Sequence, residues 1–197
     1  MKKLLAMATL IAAPALAQAQ EVHLYGGYNA SSVSKSGQEH WQGKAGYQFG
    51  ADLMIGNRWF LKPGVEFLVR NLHYTYLTGP EASAQFQYTN HSLRVPIMLG
   101  VQLLDPSEEP AVNGYLMAGP SAIMKLNADL NNNALDVETT GTQWQLGVGA
   151  GLEVSFLFVE AGYDIGMSNV FSGDDFETNP KMNFLHVNAG LRLRLAH

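Results

Sequence analysis

"LHVNAGLRLRL", residues 185–195, carries an apolar side chain at every second position. Leu185, Val187, Ala189, Leu191, Leu193 and Leu195 alternate with His186, Asn188, Gly190, Arg192 and Arg194. On a helix, residues two apart lie about 200° apart, which would scatter the leucines around it; on a strand they share one face. The period is two, so the segment reads as a strand. What it leaves open is whether the leucines face a core or face outward.

The same alternation recurs upstream. "TQWQLGVGAGLEV" sets Trp144, Leu146, Val148, Ala150, Leu152 and Val154 against Gln143, Gln145, Gly147, Gly149, Gly151 and Glu153. "LFVEAGYDIGMS" sets Leu157, Val159, Ala161, Tyr163, Ile165 and Met167 against Phe158, Glu160, Gly162, Asp164, Gly166 and Ser168. "LRVPIMLGVQLL", "FLKPGVEFLVR" and "AGYQFGADLM" do likewise; their polar faces carry Arg94, Met98 and Gln102, then Lys62, Glu66, Leu68 and Arg70, then Gln48 and Asp52. "VHLYGGYN" and "VNGYLMAGPSAIMKL" are strand-like without an assignable face. Eight strands are predicted, near 21–29, 44–55, 59–72, 87–104, 112–126, 142–154, 157–168 and 182–195. Most exceed the roughly 9–11 residues that cross a bilayer as a tilted strand.

The connections alternate. "IGNR", "DPSEEP" and "VSF" are short, whereas 30–43, 73–86, 127–141 and 169–181 are long and polar. Short periplasmic turns and long outer loops are the pattern of an outer-membrane barrel. The N-terminus agrees. In "MKKLLAMATLIAAPALAQAQ", Lys2 and Lys3 precede the apolar run Leu4–Ala13 and the small-x-small sites Ala15-Leu16-Ala17 and Ala17-Gln18-Ala19. This reads as a secretory signal peptide over 1–19, cleaved after Ala19 or, second, after Ala17, with the barrel domain over 20–197. The chain has no cysteine, which excludes a lipoprotein and disulfides. No later apolar run reaches the roughly 18 residues of a membrane-spanning helix. Without Lys2 and Lys3, 10 basic residues stand against 17 acidic ones, so nucleic acid is not an expected partner. Charged residues are 15% of the chain, below the roughly 25% of ordinary soluble domains.

The polar faces decide the orientation. They are dominated by glycine, asparagine and glutamine with a few charges, a poor soluble surface. A closed eight-stranded lumen is only about wide enough to be filled by side chains and needs small residues among large ones. The charges are nearly balanced: Asp52, Glu66, Glu153, Glu160 and Asp164 against Lys62, Arg70, Arg94, Arg192 and Arg194. Buried charges must pair, and this set can form a structural lumen network. The fold class expected is therefore all-β, an eight-stranded antiparallel transmembrane β-barrel, leucines toward lipid and arginines inward. Tyr47, Trp59, Phe60, Trp144 and Tyr163 are candidates for the aromatic girdles. Pro63, Pro96 and Pro120 fall inside strands of a barrel that has no edge, where each deletes a ladder hydrogen bond.

"LRVPIMLG", "YLMAGPSAI", "GVGAGLEVSFLFVEAGYDIGMSNV" and "HVNAGLRLRL" resemble the PorT-like outer-membrane β-barrel proteins common in Bacteroidetes. The resemblance covers essentially the whole mature chain and rests on short, degenerate motifs. It implies an outer-membrane barrel with no catalytic residues to carry over. One departure is the C-terminus: such barrels usually end on an aromatic residue read by the insertion machinery, and this chain ends "LRLRLAH".

Candidate sites are few. Glu160 and Asp164 share a face but lie about 13 Å apart along a strand, too far for one proton or ion. His186 is the candidate base of a lipid-modifying enzyme, which needs a serine and a carboxylate beside it; Asn188 stands where a serine could, and His91 and Ser92 point to opposite faces. Asp129, Asn131 and Asn133 begin like a calcium loop, but Ala134 and Thr140 replace its glycine and glutamate. Asp174, Asp175 and Glu177 read as a solvated loop. No catalytic, cofactor or metal residue is expected. The expected partners are outer-membrane lipid and the barrel-insertion machinery, with an extracellular or periplasmic protein partner left open and the barrel a monomer. The function expected is structural or partner-binding through the long loops. The alternatives are a lipid-modifying barrel enzyme and a soluble lipocalin-like periplasmic binder, the latter disfavoured by the glycine-rich polar face.

Overall fold

In the computed structural model, which describes residues 21–33, 40–77, 83–108, 110–130, 142–167 and 182–195, the chain is a closed barrel. Its strands are β1 (Glu21–Val33), β2 (His40–Gly56), β3 (Trp59–Leu77), β4 (Ser83–Gln102), β5 (Val112–Leu130), β6 (Thr142–Val154), β7 (Leu157–Gly166) and β8 (Met182–Arg194). Each pairs antiparallel with the next, and β8 closes on β1 with Glu21 opposite Arg194. Closure leaves no unpaired sheet edge, as hydrocarbon requires.

The barrel is inside out relative to a soluble one. Along β6 and β7 exposed and buried residues alternate, and beyond Thr142 the exposed ones are apolar. Leu146, Val148, Leu152, Val159, Ile165, Leu185, Val187, Leu191 and Leu193 are all exposed, whereas Arg94, Glu153, Asp164 and His23 are almost fully buried. The leucines of 185–195 thus face outward and Arg192 faces in.

Outward aromatics mark two levels. Trp59 and Phe156 lie by the short turns, and Tyr28, Tyr47 and Trp144 lie toward the opposite end; Phe49 and Tyr163, the latter opposite Val148, lie between them. Ten positions separate Trp59 from Val69, the partner of Tyr47. At about 3.3 Å per residue and a tilt of about 40°, this spans roughly 25 Å along the membrane normal, the height of an outer-membrane apolar band. Phe60 is not part of either girdle. It is buried, with its ring edge-on to Tyr115 at 5.7 Å. Adjacent strand residues point to opposite faces, so Trp59 and Phe60 cannot both meet lipid.

Strands β1 to β5 run further at the outer end than the apolar pattern predicts: residues 30–33, 40–43, 73–77, 83–86 and 127–130 are strand rather than loop. The backbone ladder thus continues past the stretch in which the sequence alternates. At the other end the turns are tight. Gly56 (φ 117°) and Ser155 (φ 55°) take the left-handed conformation that reverses the chain into β3 and β7. Between β4 and β5 a short 3-10 turn spans Pro106–Glu108. There the Ser107 hydroxyl and N–H donate to Asp105 and hold its carboxyl below the ordinary range.

The three strand prolines have a common solution. Pro63 pairs with Ile97, next to Pro96; Pro96 pairs with Ser121, next to Pro120. The β3–β4 ladder skips 64–65 and 95–96, and the β4–β5 ladder skips 97–98 and 119–120. The β2–β3 ladder likewise skips 53–54 and 62–63, so three ladders are each interrupted beside a proline, and the gaps lie next to one another in a single patch of wall.

The interior is filled. Met54, Phe60, Met98, Tyr115 and Met117 form one apolar cluster; Leu68, Ile123 and Phe184 form another. Inward glycines make the room. A Cβ on Gly151 would overlap the Tyr115 ring, one on Gly100 the Phe60 ring, and one on Gly162 the His186 ring. This is the physical reason for a glycine-rich polar face.

Candidate functional site

The charged side chains stack in three tiers along the lumen. Nearest the short turns, Arg192 of β8 contacts Glu153 of β6 and lies 3.5 Å from Glu21 of β1. Arg194 Nε donates to Glu21 Oε1 at 3.3 Å. His23 of β1 stands above them, its Nδ1 3.0 Å from Asp52 Oδ1, its ring stacked on Phe158 at 4.5 Å.

In the middle tier Lys62 of β3 bridges Glu160 of β7 and Asp52 of β2, the latter at 3.3 Å. Tyr115 donates to Glu160 at 2.8 Å, and the ammonium also lies 5.3 Å over the Tyr115 ring. In the third tier Arg94 of β4 holds Glu66 of β3 at 2.8 Å and Asp164 of β7 at 2.6 Å. Tyr25 donates to Glu66 at 2.8 Å, and His186 Nδ1 lies 3.2 Å from Asp164. Gln48 and Asn188 bond across β1 at 2.6 Å. Each salt bridge spans the lumen or adjacent strands in a low-dielectric interior, where an unpaired charge costs most.

The residues expected from sequence take these places: Asp52, Glu153, Arg192 and Arg194 in the lower half, Glu160 in the middle, Glu66, Arg94 and Asp164 above. Arg70 donates to Ser92 at 3.3 Å, nearer the outer end. Arg194 differs from the rest, with its side chain 44% exposed at the periplasmic mouth. Glu160 and Asp164 belong to separate tiers, as their spacing requires. Glu21, His23, Tyr25 and Tyr115 join this network although the sequence pattern assigns no face to β1 and β5. "EVHLY" does alternate, polar against apolar, and only the following Gly26-Gly27 blurs it. Asn131, Asn133, Asp174, Asp175 and Glu177 lie outside the described residues.

Little space remains. The central cavity, walled in part by Tyr25, Lys62, Glu66, Arg94 and Glu160, leaves about 10 Å³ for the centre of a water molecule, about one water's worth. The His186–Asp164 pair has the look of a base and its orienting carboxylate. Among the described residues, however, His186 makes no hydrogen bond to a serine; its other close neighbours are the Phe184 ring at 5.3 Å and Gly162. A nucleophile beside the base is what acyl transfer would need.

The family model for the outer membrane protein beta-barrel domain matches residues 4–193. The chain belongs to this family. It is a small barrel of the cell outer membrane, and the inverted polarity of its wall is the physical counterpart. Among solved structures it is similar to the outer membrane protein OprG from Pseudomonas aeruginosa, at 12% identity and a TM-score of 0.56, covering 90% of this chain and 98% of that one. At that identity the likeness is one of fold. Lower overlap is found with Ail, the attachment invasion locus protein of Yersinia pestis (16%, 0.47, covering 89% and 99%), and with the outer membrane enzyme PagL (12%, 0.46, covering 89% and 99%). No curated protein matches this member of the barrel family in sequence.

Proposed function

We propose that this barrel is a non-enzymatic outer-membrane protein that acts as a structural or partner-binding element through its extracellular loops. The observation that carries the reading is the state of the lumen: the salt bridges join lumen charges to one another, and among the described residues neither of the two carboxylate-paired imidazoles, His186 and His23, is hydrogen-bonded to a serine. The unequal strand lengths add to it. Among the described residues, β2 to β5 have 17 to 20 residues and β6 to β8 have 10 to 13. A wall of strand therefore rises above the outer girdle on the β2–β5 side. A PorT-like affiliation, a cleaved signal peptide over 1–19, delivery by the barrel-insertion machinery and a monomeric state complete the proposal, on the motifs and N-terminal pattern described above.

The test is lipid analysis of cells that do and do not express the protein. Lipid A and phospholipid acyl patterns are expected to be the same. A change in acyl pattern that His186→Ala abolishes, in barrels still folded by heat-shifted gel migration, would show an enzyme and overturn the reading.

A further inference from the structure

We propose that Glu21, His23 and Glu153 form a binding site for a divalent transition-metal ion, with zinc the best match, at the periplasmic end of the lumen. The proposal starts from convergence. His23 Nε2 lies 3.6 Å from Glu21 Oε2 and 4.0 Å from Glu153 Oε1, and the three atoms lie within 4.8 Å of one another. All three residues are more than nine-tenths buried.

The second observation is independent of the clustering. These same three atoms have no hydrogen-bond partner. Yet the other oxygen of each glutamate is held: Arg194 donates to Glu21 Oε1 at 3.3 Å, and Arg192 donates to Glu153 Oε2. Each carboxylate thus gives one oxygen to an arginine and turns the other, unsatisfied, toward the imidazole. Buried orphan acceptors are rare in native proteins, and a bound ion is one of the things that accounts for them.

The imidazole is oriented as a metal ligand is. Its Nδ1 lies 3.0 Å from Asp52 Oδ1, so a neutral ring that keeps its proton on that side turns the Nε2 lone pair toward the two glutamates. A carboxylate behind a ligating histidine is the usual outer partner of such sites. Stacking on Phe158 fixes the plane of the ring. One nitrogen with two carboxylate oxygens suits zinc, whereas calcium and magnesium prefer oxygen alone. Ligands about 2.0–2.2 Å from a tetrahedral ion stand roughly 3.3–3.6 Å apart, so the donors need to close by about 1.5 Å at most.

Charge supports a cation. The groups packed around His23 are Glu21 on β1, Asp52 on β2, Lys62 on β3, Glu153 on β6, Glu160 on β7 and Arg192 and Arg194 on β8. With His23 neutral they leave one negative charge uncompensated. Arg192, 3.5 Å from Glu21 Oε2, competes with a metal for that oxygen and limits its affinity. The rival occupant is a proton on His23. Glu21 opens β1 and Arg194 closes β8, level with the periplasmic turns, so an ion has a short path in.

The experiment uses the full-length barrel, folded in detergent and stripped with a chelator, titrated calorimetrically with zinc chloride and, separately, with magnesium and calcium chlorides. One zinc per chain is expected, removed by His23→Gln and by Glu153→Gln, and weakened about 10-fold or more by Asp52→Asn. His186→Gln is expected to leave it unchanged. Heat-shifted gel migration shows which variants remain folded. If His23→Gln and Glu153→Gln do not fold, cobalt absorption of the wild-type protein gives the answer: a tetrahedral spectrum displaced by zinc supports the site. The proposal is overturned by absence of zinc binding to the wild-type barrel, by zinc binding that survives in folded His23→Gln, or by magnesium and calcium binding as tightly. An imidazole that only takes up a proton would give the first of these results.

Discussion

Arg94 is the strongest test of a lumen held by paired charges. It is 2% exposed and serves two carboxylates, Glu66 at 2.8 Å and Asp164 at 2.6 Å, with its guanidinium also 5.8 Å from the Phe184 ring. Arg94→Met keeps most of the volume and removes the charge. Two hydrogen bonds to ionised groups are worth about 1.5–3 kcal/mol each, and breaking a buried pair costs about 3–5 kcal/mol. Glu66 keeps the Tyr25 hydroxyl and Asp164 keeps His186 nearby, which places the loss near the middle of those ranges, about 4 kcal/mol. That is close to a thousandfold in the unfolding equilibrium. Most of it is the cost of two stranded carboxylates, so it is recoverable. Adding Glu66→Gln and Asp164→Asn to Arg94→Met should restore at least half. The assay is urea unfolding of the barrel in lipid vesicles, read by the fluorescence of the lipid-facing Trp59 and Trp144. An Arg94→Met barrel within about 0.5 kcal/mol of wild type, or a triple variant no more stable than the single, would refute the pairing argument.

Three further outcomes follow from the same geometry. Val148→Arg, near mid-height on β6, should destabilise by about 2–4 kcal/mol, whereas Leu193→Arg, next to the last residue of β8, should cost about 0–1 kcal/mol; equal losses in vesicle unfolding would contradict the depth assignment. Gly151→Val should destabilise by forcing the Tyr115 ring, and Tyr115→Ala should partly rescue it in the same assay; failure of rescue means the glycine is needed for another reason. In planar bilayers the purified barrel should show no stable porin-like steps, because the lumen is filled by side chains; reproducible open conductance at neutral pH would mean the packing has been misread.

The strands of the membrane band, their count, their turns and the orientation of the wall are legible in the order of the residues alone. Each of these is local: a side chain's face follows from the parity of its position, and glycine-rich polar faces with few charges exclude a soluble surface. Parity also held the correction for Phe60, which shares the inward face with Lys62. What tertiary structure alone decided is which charges meet. Parity says that Arg192 points inward but not at what height, and either Glu153 or Glu160 could have been its partner. Closure of β8 on β1 and the stagger between strands set the heights, placing Arg192 against Glu153 and leaving Glu160 to Lys62. The same closure brings Glu21 and His23 of β1 across to Glu153 of β6, 132 and 130 positions away in the chain. Their meeting depends on the diameter of the barrel, a property of all eight strands together that no single stretch of sequence carries.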